Sequence, residues 1–151
     1  MVQSFQVGRG GANGLQVLSE DSERVICRGV NPGTVRNAVL VVVPAAEHPS
    51  AAILDRLTHE FGLKDELDAA WAVRPIELNR ERGRPTLVLE DPGGEPLARL
   101  LGSPLEVERF LTLAIGIAAA LGKVHQRGLI HKDLKPANIL VGTADGHARL
   151  T

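Results

Sequence analysis

The chain has 151 residues, of which 44% are hydrophobic and 23% charged, with 17 basic and 18 acidic side chains. This composition is typical of a folded globular protein, and the formal net charge of −1 argues against nucleic acid or an anionic membrane as a partner. A single cysteine, Cys27, excludes an intramolecular disulfide and is consistent with a cytoplasmic location. No signal-peptide core is present, and no apolar run reaches the roughly 20 residues that a membrane-spanning helix needs.

The first half of the chain predicts a β-rich region with one helix. The glycine-rich residues 1–14 predict a flexible leader. Strands are predicted at 15–18, 24–30, 38–43, 72–79 and 86–90. The run at 38–43 is continuously apolar, as in a buried central strand, and Pro44 ends it. Apolar residues at three- and four-residue spacing predict a helix over 49–67, with Glu60 beside the apolar stripe.

The second half predicts mainly helix. Asp-Pro-Gly-Gly opens the segment 91–96, which we interpret as a hinge between two regions. A short helix is predicted at 97–101 and a long one at 105–126. Residues of the long helix spaced 3, 4, 4 and 3 apart are expected to be buried: Phe110, Leu113, Ile117, Leu121 and Val124. A small hairpin formed by 139–141 and 148–151 is predicted at the end.

A charged loop, HKDLKPANIL, follows the long helix. It holds an acid, a base and an amide close together: Asp133, Lys135 and Asn138. Such a set suits phosphoryl transfer, which requires positioning and charge neutralisation more than covalent chemistry. The aspartate can accept a proton from an attacking hydroxyl, and the lysine can lie against the transferred phosphate as a point charge. The amide oxygen of Asn138 can bind magnesium, which prefers oxygen ligands.

The segment from His131 to Asn138 resembles the catalytic loop of protein kinases, whose pattern is H-R-D-L-K-P-x-N, with Lys132 as the one departure. The lysine-proline pair is similar to that of the serine/threonine branch. The resemblance implies an α+β, protein-kinase-like fold: an antiparallel β N-lobe with one helix at 15–90, a hinge at 91–96 and the first part of a helical C-lobe at 97–151. It also implies that His131 braces the loop.

The resemblance implies ATP-dependent phosphoryl transfer to a serine or threonine of a protein substrate, with ATP and magnesium as cofactors. Asp133, Lys135 and Asn138 would be the catalytic residues, and Asn138 would also hold the metal. The carbonyl of Glu90 would accept from adenine, and Glu60 would be the helix glutamate that pairs with a phosphate-binding lysine. An apolar sandwich around adenine would come from Ile26, Val42 and Leu140.

More narrowly, the chain is similar to the N-terminal kinase-like domain of bacterial hybrid signalling proteins. In those proteins a serine/threonine kinase-like module precedes an AAA-type ATPase region, a GAF domain and a sensor histidine kinase. The phrases LVLEDPGGEPLARLLG, LAIGIAAALGKVHQRGLIHKDLKPANILV and ARLT carry this similarity. It implies two-component signal transduction in the cytoplasm, with a protein substrate or downstream domains of the same protein as partners.

Four departures from the kinase pattern bear on activity. Pro44 stands where the family has the lysine of V-A-I-K, so Glu60 has no evident partner, and the sequence identifies no other basic residue for it. The acidic turn 19–23 replaces a glycine-rich loop whose backbone N–H groups would approach phosphate. Pro92 removes a backbone donor in the hinge. The chain ends before a D-F-G segment, so we expect a truncated, inactive kinase with exposed apolar surface on the long helix.

Two interpretations stay open. The first is a serine/threonine kinase domain, which rests on Asp133, Lys135 and Asn138. The second is a pseudokinase-like regulatory or sensor module, which rests on Pro44 and the acidic turn. A small-molecule phosphotransferase is a third possibility, although such enzymes usually lack the D-L-K-P wording. The simpler alternatives are a solvated helix residue for Glu60 and ordinary core for the three apolar residues of the adenine sandwich.

Overall fold

The computed structural model describes residues 15–30, 38–80, 84–143 and 145–151. The predicted leader at 1–14 lies outside these ranges. The described chain forms two compact units: one runs up to Lys64 and includes Pro75–Asp91, and the other combines Asp65–Arg74 with Pro92–Thr151. The first is an antiparallel sheet with one helix, and the second is mainly helical with a small sheet. This is the α+β arrangement that the sequence predicts.

The first unit is built on a five-stranded sheet. Its strands are β1 (Gln16–Glu20), β2 (Arg24–Val30), β3 (Ala38–Pro44), β4 (Pro75–Asn79) and β5 (Thr86–Glu90). They lie in the order β1-β2-β3-β5-β4, and each neighbouring pair is antiparallel. The central strand β3 is the one with the continuous apolar run, and its Leu40, Val41 and Val42 are fully buried. A strand that is covered on both faces needs apolar residues at every position, which is why β3 does not alternate.

The helix of the first unit, α1, spans Ala51–Gly62. The hydroxyl of Ser50 caps it by accepting from the backbone N–H of Ile53 at 3.4 Å. The helix ends at Gly62, five residues earlier than predicted. The predicted helix is too long because the apolar spacing continues past the residue at which the backbone leaves the helical conformation. Leu57 is its buried residue and faces the sheet beside Pro44.

The second unit has a three-stranded antiparallel sheet and two α-helices. Its elements are β6 (Glu95–Pro96), α2 (Leu97–Leu100), α3 (Val107–Gln126), a 3-10 helix (Pro136–Asn138), β7 (Ile139–Val141) and β8 (Ala148–Leu150). The predicted hairpin of β7 and β8 is confirmed, and the two residues of β6, which the sequence did not predict, add a third strand beside β7. The predicted strand over 72–79 is too long, because Ala72 lies in this unit and bridges Leu150.

The long helix α3 packs through one face only. Leu113, Ala120 and Val124 are buried in the core of the second unit. The prediction that Phe110 is buried is wrong, since 55% of the residue is exposed and the core begins at the next turn of the helix. Val107, Leu111 and Ile115 are also exposed, which matches the expected apolar surface on this helix. Within the described ranges, no helix is long and apolar enough to cross a membrane.

Gly94 is required where β6 approaches β7. Its φ of +84° is in the left-handed region, and a Cβ at this position would overlap the carbonyl oxygen of Val141. Gly93 also has a positive φ, of +77°, but a Cβ there would meet no atom within 4 Å. Substituting each of the two glycines in turn therefore distinguishes the free-energy cost of the left-handed backbone conformation from that of the steric clash.

We expect Gly94→Ala to lower the free energy of unfolding by about 3 kcal/mol or more, because it adds a backbone clash to a left-handed conformation. Gly93→Ala, the matched control, should cost only about 1 kcal/mol. Urea unfolding of the two variants measures both values. Equal losses would show that the approach to Val141 is not tight.

Asp145 predicts a pH effect in the β7–β8 hairpin. Its carboxylate accepts from Arg149 Nη2 and from the backbone N–H of His147, both at 2.9 Å, and these bonds lower the pKa of Asp145 to about 2. Because the pKa of Asp145 is lower in the folded state, its ionised carboxylate stabilises the folded protein at pH values above the ordinary pKa of 3.8. This stabilisation is lost as the pH falls towards 2. We expect Asp145→Asn to be less stable than the parent at pH 7 and this difference to be much smaller at pH 2, measured by thermal unfolding. A loss of the same size at both pH values would contradict this.

Candidate active site

The charged loop is fastened at both ends. Before it, α3 ends at Gln126, and Gly128, whose φ is +72°, donates its N–H to the His125 carbonyl. After it, the backbone of Asn138 accepts from Thr151 N–H at 3.0 Å. The Nε2 atom of His131 lies 2.9 Å from the Thr151 carbonyl oxygen, which is the kind of contact that a bracing residue makes. The loop is thereby held against the residue that follows β8.

The structure brings the three predicted catalytic residues together. The side-chain amide of Asn138 donates to both the carbonyl oxygen and the Oδ2 atom of Asp133, at 2.9 and 2.8 Å. The ammonium of Lys135 lies 3.0 Å from the same Oδ2 atom. Asn138 is buried, whereas the side chains of Asp133 and Lys135 are 49% and 36% exposed. A buried amide therefore orients a solvent-accessible aspartate, which in turn pairs with a partly exposed lysine.

The orientation of the Asn138 amide also fits a magnesium site. Because its nitrogen makes both hydrogen bonds, its oxygen Oδ1 points the other way, and this buried oxygen has no hydrogen-bond partner among the described residues. A buried acceptor without a partner is costly, and a magnesium ion would satisfy it. Across the described ranges there is no group of three His, Cys, Asp or Glu side chains that could hold a metal.

The residues predicted to contact adenine fall in both units. Ile26 and Val42 are directly opposite each other on β2 and β3, so they lie on one face of the sheet, and both are buried. Glu90 is half-buried on β5, opposite Val39 of β3. Leu140 is buried in β7 of the second unit, opposite Pro96 and Arg149. Their roles towards adenine stay predictions, since an ordinary core residue is buried in the same way.

Glu60 has a partner that the sequence did not reveal. Its Oε2 atom lies 3.5 Å from Nη1 of Arg24, and the two side chains are 22% and 15% exposed. The expectation that Glu60 lacks a partner is therefore wrong. Burial raises the pKa of Glu60, while Arg24, Arg56 and His59 oppose that rise. Both residues of the pair line a small pocket together with Pro44, the residue assigned to the missing lysine.

The acidic turn between β1 and β2 uses its own backbone donors. The Oδ1 atom of Asp21 accepts from the N–H groups of Glu23 and Arg24, at 2.8 and 2.9 Å. The N–H of Asp21 in turn donates to the Arg24 carbonyl at 3.0 Å. A glycine-rich loop would direct such N–H groups at a phosphate, whereas this turn closes on itself. These contacts leave the N–H groups of Glu23 and Arg24 occupied by Asp21.

Comparison with known proteins defines the class to which this arrangement belongs. The family model described as "Protein kinase domain" matches residues 27–151. The chain therefore belongs to the protein kinase family, and the match agrees with the antiparallel sheet, single helix and helical second unit described above.

The relatives include serine/threonine-protein kinases of bacteria and of vertebrates, such as LATS1 of Homo sapiens, which is 33% identical over 88 residues, or 57% of this chain and 8% of that protein. The chain is 29% identical over 107 residues to the serine/threonine-protein kinase pkn2 of Myxococcus xanthus. The matched region covers 70% of this chain and 13% of that protein. It is 38% identical over 93 residues to the DNA damage-responsive serine/threonine-protein kinase RqkA of Deinococcus radiodurans, which covers 58% of this chain and 12% of that protein. The chain thus corresponds to a small part of each relative.

We expect Asn138→Asp to destabilise the loop. The substitution keeps the shape of the side chain but places a carboxylate oxygen where an N–H donor faces Asp133 Oδ2. Losing this donor inside the protein should lower the free energy of unfolding by about 1 to 3 kcal/mol at pH 7, measured by urea unfolding. The loss should shrink as the pH is lowered towards about 4, because two adjacent carboxyl groups can then share a proton and form a hydrogen bond.

The double variant Asp133→Asn with Asn138→Asp is the control for this prediction. It exchanges the two groups, so that an amide again faces a carboxylate, and it should recover part of the lost stability. Additive losses in the double variant would show that the two side chains do not interact as the structure describes.

Proposed function

We propose that the chain is the kinase domain segment of a serine/threonine protein kinase, which transfers the γ-phosphoryl group of ATP to a hydroxyl of a protein substrate. The observation that carries the proposal is the buried amide of Asn138, which holds Asp133 beside Lys135. The family match and the names of the relatives support the reaction class. In this proposal residues 15–90 form the N-lobe, 91–96 the hinge and 97–151 the first part of the C-lobe.

The three residues take different parts in the reaction. The carboxylate of Asp133 orients the substrate hydroxyl and accepts its proton as the oxygen attacks phosphorus, while the bond to ADP breaks. The ammonium of Lys135 neutralises charge on the transferred group. Magnesium, when bound, would offset the charge of the phosphates, and Asn138 would hold it through Oδ1. Glu90 would accept from adenine, with Ile26, Val42 and Leu140 around the ring.

We also propose the wider setting that the sequence resemblance implies. The segment would act in bacterial signal transduction in the cytoplasm, within a hybrid protein that also carries an AAA-type ATPase region, a GAF domain and a sensor histidine kinase. Its partners would be a protein substrate or those downstream domains. The sequence resemblance alone supports this wider setting.

A second candidate function is a pseudokinase-like regulatory or sensor module. Two observations favour it: Pro44 occupies the position assigned to the phosphate-binding lysine, and Asp21 occupies the N–H groups of the turn that would cradle phosphate. Both reduce the expected affinity for nucleotide phosphates. The two functions therefore differ in whether ATP with magnesium binds at all.

We expect the full-length protein to bind ATP in a magnesium-dependent manner, measured by isothermal titration calorimetry, and to transfer ³²P to a general protein substrate. Asp133→Asn should leave ATP binding nearly unchanged and lower transfer by about 100-fold or more, because the base that takes the hydroxyl proton is gone. Asp145→Asn is the matched control, since Asp145 lies in the β7–β8 hairpin and has no part in the proposed chemistry.

The outcomes separate the two functions. Absence of binding at millimolar ATP would contradict the kinase proposal and favour the regulatory module. Binding with transfer that survives Asp133→Asn would remove Asp133 from its assigned part in the reaction.

A further inference from the structure

We infer that Arg24 takes the place of the missing β3 lysine, as the cation that pairs with Glu60 and contacts the phosphate groups of a bound nucleotide. The inference deepens the proposed function and rests on it. It assigns a part in nucleotide binding to a residue of β2, where sequence comparison with the V-A-I-K pattern of β3 does not direct attention.

Strand register places Arg24 beside Pro44, the position assigned to the missing lysine. Arg24 is directly opposite Pro44 in the antiparallel pairing of β2 with β3. Directly opposed residues project to the same face of a sheet, with Cβ atoms about 5 Å apart. A long side chain at Arg24 can therefore reach the space that a lysine at the Pro44 position would occupy. On the same face, two residues further along each strand, lie Ile26 and Val42, which are assigned to adenine.

The ion pair of Arg24 and Glu60 is more enclosed than an ion pair on a protein surface. Apart from charged groups, the pocket beside it is lined by Pro44, Ile53 and Leu57. Apolar walls exclude water and strengthen an electrostatic attraction. The Arg24 side chain is only 15% exposed, so packing restricts its position. Because arginine carries five N–H donors, one can hold Glu60 while others face a phosphate.

Two other arginines of the first unit are engaged elsewhere. Arg28 makes two bonds to Asp91, at 2.6 and 3.1 Å. Arg56 pairs with Glu23, and both side chains of that pair are more exposed than those of Arg24 and Glu60. The pairing of Glu23 with Arg56 also neutralises a carboxylate that would otherwise repel a phosphate near the turn.

The acidic turn increases the need for such a cation. Its N–H groups at Glu23 and Arg24 are taken by Asp21, so phosphate binding in this unit must rely on side chains. Glu60 then acts as a positioning residue: its carboxylate holds the guanidinium against the sheet and does not itself touch the nucleotide.

The test compares the affinities of the full-length protein for ATP with magnesium and for adenosine, both by calorimetry. Arg24→Ala should weaken ATP binding about tenfold or more, the usual effect of removing a charge-assisted hydrogen bond, and should leave adenosine binding unchanged. Arg24→Lys, which keeps the charge, should recover part of the ATP affinity. Arg80→Ala, which removes a charge of the same unit whose guanidinium donates to the Thr58 hydroxyl, is the control that should bind ATP like the parent.

Each result has a definite meaning. Loss of ATP affinity alone supports the inference. Equal weakening for ATP and adenosine would overturn it, because it indicates a purely structural pair, and so would unchanged ATP affinity in Arg24→Ala. If the parent itself binds adenosine but not ATP, Arg24 does not serve phosphate and the inference fails. If the parent binds neither ligand, the proposed function falls and the inference falls with it.

Discussion

The candidate active site depends on the side-chain amide of Asn138. An amide has a donor end and an acceptor end, so using the donors on Asp133 decides where the oxygen points. One buried group thereby orients the Asp133 carboxylate and leaves an amide oxygen that the proposed function assigns to a metal ion. The backbone of Asn138 is in turn fixed by Thr151, which joins the loop to the end of the β7–β8 hairpin. The conformation of the loop thus depends on the small sheet of the second unit.

The first unit meets a different constraint, which is the placement of positive charge. Its central strand is apolar throughout, as burial on both faces requires, and it carries no cation. The charge beside Glu60 comes instead from the neighbouring strand through Arg24. A sheet allows this exchange because opposed residues on adjacent strands share a face. A motif that is broken along one strand can therefore be completed across two.

Much of this architecture could be predicted from the sequence, because local periodicity and turn residues determine it. The strand at 38–43, the hairpin after the loop and the end of α3 before Gly128 are examples. The exposure of Phe110 could not be predicted, since periodicity identifies an apolar face but not how far neighbouring elements cover it. The pairing of Arg24 with Glu60 joins positions 36 residues apart and depends on strand register, which the sequence does not display.

The closed turn at Asp21 has a consequence for how a nucleotide would be held. A loop of backbone N–H groups binds phosphate at short range through hydrogen bonds of fixed direction, and added salt affects those bonds little. With these donors occupied by Asp21, the proposed nucleotide site of the first unit would attract phosphate mainly through the charge of Arg24. Counter-ions screen such an attraction. Nucleotide affinity at the proposed site would therefore fall as the ionic strength rises, a dependence that a glycine-rich loop would largely remove.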